Sequence, residues 1–187
     1  MNSPVFYQNI KNKKALFISY RPFNHDSNFS GIVSPYLLKE YRNRWYLIAK
    51  FHNDNHIYHY ALDRLRDAKI SFQEYRPEPD FNPDLYFKNI IGVTLPKDGQ
   101  LTKIQFKSNY AQANYIKTKP IHPSQTIISQ TPDYTIFEIE VFPNYELEST
   151  LLAFGENVEV LEPEYLRKRL QERIKKLHMN YLRNNID

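Results

Sequence analysis

Two places in the chain set ligating or reactive side chains close together. His52, Asp54, His56 and His59 put nitrogen and oxygen donors within one short stretch, the donor types that zinc and related metals take. Asn53, Asp54 and Asn55 are also what a hairpin turn uses, and His56 and His59 have opposite strand parity, so turn chemistry is the simpler expectation and no metal is assigned. His122 and Ser124 place a base type beside a nucleophile type. No Gly-x-Ser-x-Gly elbow surrounds that serine, and side chains so close in sequence seldom aim at one point, so hydrolysis is not expected. There is no cysteine, which excludes a thiolate nucleophile, a disulfide and a Cys-based zinc site. Phosphate-cradling glycine loops, a dinucleotide fingerprint and carboxylates paired at helix spacing are also missing. The chain is read as a non-enzyme, with no catalytic residue, metal or cofactor.

What the composition favours instead is recognition. The chain has 15 Tyr and 12 Phe against 4 Gly in 187 residues, a makeup suited to aromatic-rich strands. Such rings can also act as stacking platforms. The net charge is +4, and the excess lies in the first half, where residues 1–95 carry 13 Lys+Arg against 9 Asp+Glu. A modest basic bias points weakly to an anionic partner. No apolar run approaches the roughly 20 residues needed to cross a bilayer, and no basic leader precedes an apolar stretch. A soluble, cytoplasmic protein without a membrane partner is expected.

The elements that would hold these side chains follow from hydrophobic period and turn residues. A helix over 3–12 leads into strands at 15–20, 32–41, 45–51, 57–62 and 68–75. The connections at 42–44 and 52–56 are short and polar, so adjacent antiparallel pairing is expected. Five short strands suggest a small closed or nearly closed barrel. The proline-rich 76–83 then reads as an extended linker, with at most a short helix over 84–89. Beyond it the order is strand 102–106, helix 110–118, strands 124–130 and 134–142, helix 145–154 and strand 157–161. That βαββαβ order predicts a ferredoxin-like sandwich. Asn144 is the expected N-cap and Gly155 the expected C′ residue of the second helix. A last helix over 163–184 repeats Leu166, Leu170, Ile174, Leu177 and Tyr181 as an inward stripe, with Arg167, Lys168, Arg169, Arg173, Lys175, Lys176 and Arg183 on its other faces. The fold class is α+β: a barrel domain over 1–80, a linker over 81–95 and a βαββαβ domain with a basic C-terminal helix over 96–187.

Six blocks in order resemble the WYL domain and the C-terminal extension (WCX) that often follows it. Ile32-Val33-Ser34-Pro35-Tyr36-Leu37-Leu38, Arg44-Trp45-Tyr46-Leu47-Ile48-Ala49 and Leu62-Asp63-Arg64-Leu65 match the first domain. Pro120-Ile121-His122-Pro123-Ser124-Gln125, Tyr145-Glu146-Leu147 with Leu151-Leu152-Ala153-Phe154-Gly155, and Val158-Glu159-Val160-Leu161-Glu162-Pro163 match the second. The resemblance implies an Sm-like or SH3-like barrel in a bacterial transcriptional regulator. Its face would sense single-stranded nucleic acid, an oligonucleotide or another anionic effector. Such binding needs rings that stack and cations that neutralise phosphate. Tyr20, Tyr36, Tyr46, Tyr58 and Tyr60 are the candidate rings, and Lys39, Arg42, Arg44 and Arg64 the candidate cations. Where the family often carries an arginine-x-phenylalanine-arginine order, this chain has Tyr58, Tyr60 and Ala61.

Family members usually carry a winged helix-turn-helix ahead of the WYL domain. The residues before the first strand leave no room for one, so DNA contact is expected only through a reader missing upstream. Trp45 and Leu47 share one strand parity and are expected in the core, with Tyr46 on the opposite, open face. A pure oligomerisation or protein-interaction scaffold is the alternative, and a homodimer is an open possibility for the basic last helix.

Overall fold

In the computed structural model, which describes residues 3–23, 28–96 and 99–182, helix α1 (Ser3–Lys11) precedes strands β1 (Leu16–Tyr20), β2 (Phe29–Tyr41), β3 (Arg44–Phe51) and β4 (Ile57–Ala61). A 3-10 turn, Leu62–Arg64, leads into β5 (Leu65–Ile70). Arg42 and Asn43 both take positive φ, 49° and 61°, the left-handed pair that a tight two-residue hairpin needs. Asn55, at φ 58°, closes the next turn. The five strands form one antiparallel sheet in the order β4-β3-β2-β1-β5.

That sheet departs from the sequence reading in two ways. Its hydrogen-bonded ladder is open, with β4 and β5 as edges joined through the 3-10 turn, and no closed barrel is present among the described residues. The fifth strand also lies upstream of its expected place. The 3-10 turn reverses the chain at once, so Leu65 already pairs with Tyr20, and the Ser71 amide bonded to the Ala15 carbonyl is where the chain leaves the sheet.

One sheet face and α1 build the first core: Phe6, Leu16, Ile18, Val33, Leu47, Ala49, Phe51, Tyr60, Leu62 and Leu65. Phe6 is 1% exposed and contributes about 1.5–3 kcal/mol by leaving water. Leu47 is buried as expected, and Ala49 and Phe51 share its inward parity on β3. Trp45 has the same parity but is 43% exposed, which corrects the expectation that it is core. It pairs with Glu40 beside the Arg42–Asn43 turn, past the end of the cluster that buries Leu47.

The chain divides between Tyr86 and Phe87 into two units, at helix α2 (Pro83–Phe87). The second unit contains β6 (Thr102–Asn109), α3 (Tyr110–Thr118), β7 (Thr126–Gln130), β8 (Tyr134–Val141), α4 (Tyr145–Leu152), a 3-10 turn (Gly155–Asn157), β9 (Val158–Glu162) and α5 (Glu164–Leu182). Its antiparallel sheet has the order β7-β8-β6-β9. On β8, Phe137, Ile139 and Val141 are buried while Ile136 and Glu138 are half-buried and Glu140 is exposed, the expected period of two. The Asn144 side chain accepts the Leu147 amide at 2.8 Å and caps α4 as expected. Gly155, at φ 59°, opens the 3-10 turn two residues beyond the Ala153 C-cap and is not itself C′.

Helix α5 corrects a further expectation. Leu166 and Leu170 are buried, but Ile174, Leu177 and Tyr181 are exposed. The helix outruns the body that covers its first turns. Glu148, itself buried, receives Arg169 at 2.5 Å and Arg173 at 2.8 Å, which docks that first part. Arg183 and the end of the expected helix lie outside the described residues. Among the described residues no helix is long and apolar enough to cross a membrane.

Candidate ligand-binding surfaces

Strand alternation separates the candidate residues of the first unit onto two faces of its sheet. On the core face, the Tyr20 and Tyr60 rings meet edge to face with centroids 5.3 Å apart. Phe29 stacks 6.2 Å from Tyr60 and lies 4.6 Å from Phe51. Tyr58 closes the row, 6.1 Å from Tyr60. The 3-10 turn delivers Arg64 to the same cluster. Its Nη1 donates to the Tyr20 hydroxyl at 3.5 Å, and its guanidinium carbon lies 4.4 Å from the centre of the Phe23 ring, a cation–π contact.

Two polar atoms in this cluster are buried and have no hydrogen-bond partner among the described residues: the Tyr60 hydroxyl and Arg64 Nε. Such groups cost stability unless something satisfies them. Burial, and then the neighbouring Tyr58, Asp54 and Tyr20, push the Tyr60 phenol above its ordinary range, so it stays a neutral donor. At the rim, the Tyr58 hydroxyl donates to Asp54 at 2.7 Å. Slight desolvation of Asp54 is outweighed by that bond and by the His56 amide, and its pKa falls.

The opposite face carries Tyr46 directly across from Lys39 on one side and Ala61 on the other. Partial burial lowers the Lys39 pKa. Further along, Ile48 pairs with Leu37 and His59, and Lys50 with Ser34 and Ile57. Tyr36 sits at the β2 irregularity, donating to the Arg76 carbonyl at 2.7 Å, with its ring 5.3 Å from Phe81. Burial raises its phenol pKa, with Tyr75 and Glu78 adding to the effect. Arg42 and Arg44 stand apart at the hairpin end: Arg42 lies over the Tyr41 ring, and Arg44 pairs with Asp63 at 3.1 Å.

The nine sequence candidates therefore split into three groups. Tyr20, Tyr58, Tyr60 and Arg64 come together; Tyr36, Lys39 and Tyr46 share the other face; Arg42 sits in the hairpin turn and Arg44 next to it at the start of β3. Phe23, Phe29 and Phe51 were missed, although Phe51 has the parity of Leu47. Lys50 was missed too, despite sharing parity with Tyr46. His52, His56 and His59 take separate posts, against Ser34, Tyr58 and Tyr86. Among the described residues no group of three or more His, Cys, Asp or Glu could hold a metal ion.

In the second unit His122 and Ser124, expected to point apart, do meet: Ser124 Oγ lies 2.8 Å from His122 Nδ1. The serine oxygen also accepts the Glu140 amide at 2.8 Å, and His122 Nε2 donates to the Lys88 carbonyl at 2.8 Å. The pair ties the loop before β7 to backbone on two sides.

Comparison with known families decides the assignment. Residues 4–70 match the WYL domain and residues 101–177 the WCX domain. The chain carries a WYL domain followed by a WCX domain. Among solved structures, a CRISPR Cas-related protein is 15% identical, with 98% of this chain aligned to 51% of that one and a TM-score of 0.57. Proteasome accessory factor B/C (PafBC) of Arthrobacter aurescens is 17% identical, with 95% of this chain aligned to 26% of that one and a TM-score of 0.37. The WYL–WCX chain thus spans about half of the first and about a quarter of the second. Comparison with curated proteins gave no match. The aromatic cluster with Arg64 and the Tyr46–Lys39 face both belong to the WYL domain.

Proposed function

We propose that this chain is the ligand-sensing regulatory part of a bacterial transcriptional regulator working in the cytoplasm, without catalytic activity. The WYL sheet is read as an Sm-like half-barrel, since its edge strands are joined by a 3-10 turn. The WCX sheet order β7-β8-β6-β9 is read as ferredoxin-like. The effector is an anion with a flat ring, either single-stranded nucleic acid or an oligonucleotide. It binds at the aromatic cluster of Tyr20, Tyr58 and Tyr60 with Arg64.

One observation carries this reading: the Tyr60 hydroxyl and Arg64 Nε are buried donors left without partners among the described residues. A ligand acceptor reaching them would satisfy both, beside rings on which a base can stack. The test is a fluorescence titration with labelled single-stranded DNA and RNA at low salt. Parent protein should bind, and Arg64→Ala should weaken binding and flatten its salt dependence by ~0.7 log units per lost single-strand phosphate contact. Parent and Arg64→Ala curves that coincide would sink the assignment of this site.

The scaffold reading has its own observation. Lys39, Arg42, Arg44 and Arg64 do not converge on one cleft, and Arg44 is already paired with Asp63. A titration in which no anionic probe binds parent protein would favour it.

A further inference from the structure

Residues 71–86 run without strand or helix until α2 and cross the Ser34–Lys50 side of the sheet, opposite the aromatic cluster. None of residues 71–89 is buried. Polar bonds and half-exposed rings are what fasten the segment. The Arg76 amide donates to Ser34 Oγ at 2.8 Å, and Arg76 Nη1 donates to the His52 carbonyl at 2.6 Å. The Tyr36 hydroxyl holds the Arg76 carbonyl, the Tyr75 hydroxyl reaches the Pro35 carbonyl at 3.3 Å, and Tyr75 and Phe81 lie against the Tyr36 ring. A segment held in this way opens more easily than the core beneath it.

Its charge complements what it covers. Glu74, Glu78, Asp80 and Asp84 stand in it against Arg76, and Glu78 Oε2 lies 2.7 Å from Lys50 Nζ, with the lysine side chain only 16% exposed. Next to Lys50 on this face, Ser34 is fully buried and bonded at 2.8 Å to the imidazole of His52. An ammonium, a hydroxyl and an imidazole thus lie beneath a carboxylate brought by a segment with no buried anchor.

We propose that residues 71–86 form a displaceable strap, and that Glu78 holds on Lys50 the place of an external anionic group, a phosphate, which binds there when the strap lifts. With the strap away, Lys50 and Ser34 donate to the phosphate oxygens and the Tyr36 ring is uncovered beside them. This site lies on the other face from Arg64 and stands on its own contacts.

The experiment combines hydrogen–deuterium exchange with binding titrations on the full chain, using pyrophosphate and a ten-nucleotide oligo-dT as probes. Glu78→Gln should speed exchange across 71–82 in free protein and tighten binding of the probes about three- to fivefold, the size expected when one competing, partly exposed ion pair is removed. Lys50→Gln should cancel that gain, and Arg64→Ala should leave it intact. Circular dichroism confirms that each variant is folded. Oligo-dT and pyrophosphate gains together indicate phosphate recognition, and a gain for oligo-dT alone indicates a nucleotide. The proposal is overturned if residues 71–82 exchange as slowly as the central strands, if Glu78→Gln loosens them without a gain in binding of either probe, or if the gain disappears with Arg64→Ala.

Discussion

His59 Nε2 lies 3.1 Å from the hydroxyl oxygen of Tyr86, while the next residue on β4, Tyr60, turns its hydroxyl into the aromatic cluster on the opposite face. One strand therefore touches both the candidate ligand site and the segment leading out of the first unit. Tyr86→Phe removes one half-buried hydrogen bond, so the first unit should lose about 0.5–1.5 kcal/mol. The only tryptophan, Trp45, lies in that unit, so urea melts followed by its fluorescence report on it alone. A loss several times larger would mean that Tyr86 is a core anchor and not a latch.

Tyr60→Phe should shift stability and binding in opposite directions. The hydroxyl is buried without a partner among the described residues, so deleting it relieves a desolvation cost of order 1–3 kcal/mol, less whatever relaxation the free protein already has. The unliganded variant should be as stable as the parent or more so. Its affinity for single-stranded oligonucleotide should fall nonetheless, because the ligand loses a donor. Equal binding by both proteins removes Tyr60 from the site.

Residue pattern reached some of these features and missed others for physical reasons. Strand period was reliable where a strand is covered along its whole length, as on β8, where Phe137, Ile139 and Val141 face inward. It failed at ends: Trp45 has core parity but projects past the core, and Ile174 continues a stripe past the last surface that could cover it. Parity states which face a side chain takes, not whether anything lies over that face. Ring-and-cation composition grouped Tyr20, Tyr36, Tyr46, Tyr60 and Arg64 together, and parity along β3 set Tyr46 opposite Leu47, but only cross-strand register puts Tyr60 on the Leu47 face and so apart from Tyr46. The proline-rich 76–83 reads as a linker by composition, and its bonds to Ser34 and His52 span some 24 to 42 residues, beyond any local signal.

Trp45 and Leu47 turn that lesson into a measurement. Leu47 is fully buried and Trp45 is 43% exposed. Leu47→Ala should cost about 2–5 kcal/mol as a core truncation, and Trp45→Ala well under that. Circular-dichroism melts compare the two, since the tryptophan signal is lost in one of them. Comparable losses would show that Trp45 is covered in solution.

The pH dependence of the first unit should carry a His52 signature. Burial lowers its pKa from the ordinary value near 6.5, and Arg76 and Lys50 lower it further against an opposing bond to Gln73. The unfolded chain therefore binds the proton more readily than the folded one, and stability rises with pH across that interval. Stability should be level above about pH 7 and decline as pH falls below 6.5. The lowered Asp54 carboxyl acts in a separate window, because its contribution is lost only as pH falls below about 4. His52→Gln should flatten the decline between pH 6.5 and 5 in Trp45-monitored melts. A His52→Gln protein with the parent's slope there would assign the effect to another group.

The last helix should behave as two parts. Leu166 is fully buried in the core of the second unit, among Ile104, Phe106, Phe137 and Leu147, and Leu170 nearly so, while the buried Glu148 takes both Arg169 and Arg173. Leu166→Ala should cost about 2–5 kcal/mol. Leu177→Ala, one turn past Arg173 and 53% exposed, should stay within about 0.5 kcal/mol. Glu148→Ala should fall between them: its arginines are 45% and 30% exposed and can rehydrate, which places it below the ~3–5 kcal/mol of a fully buried pair. Urea melts followed by far-ultraviolet circular dichroism at two protein concentrations give the three values. A Leu177→Ala loss as large as that of Leu166→Ala would show that the outer half of the helix is covered. If that loss grew with protein concentration, a second copy would be what covers it.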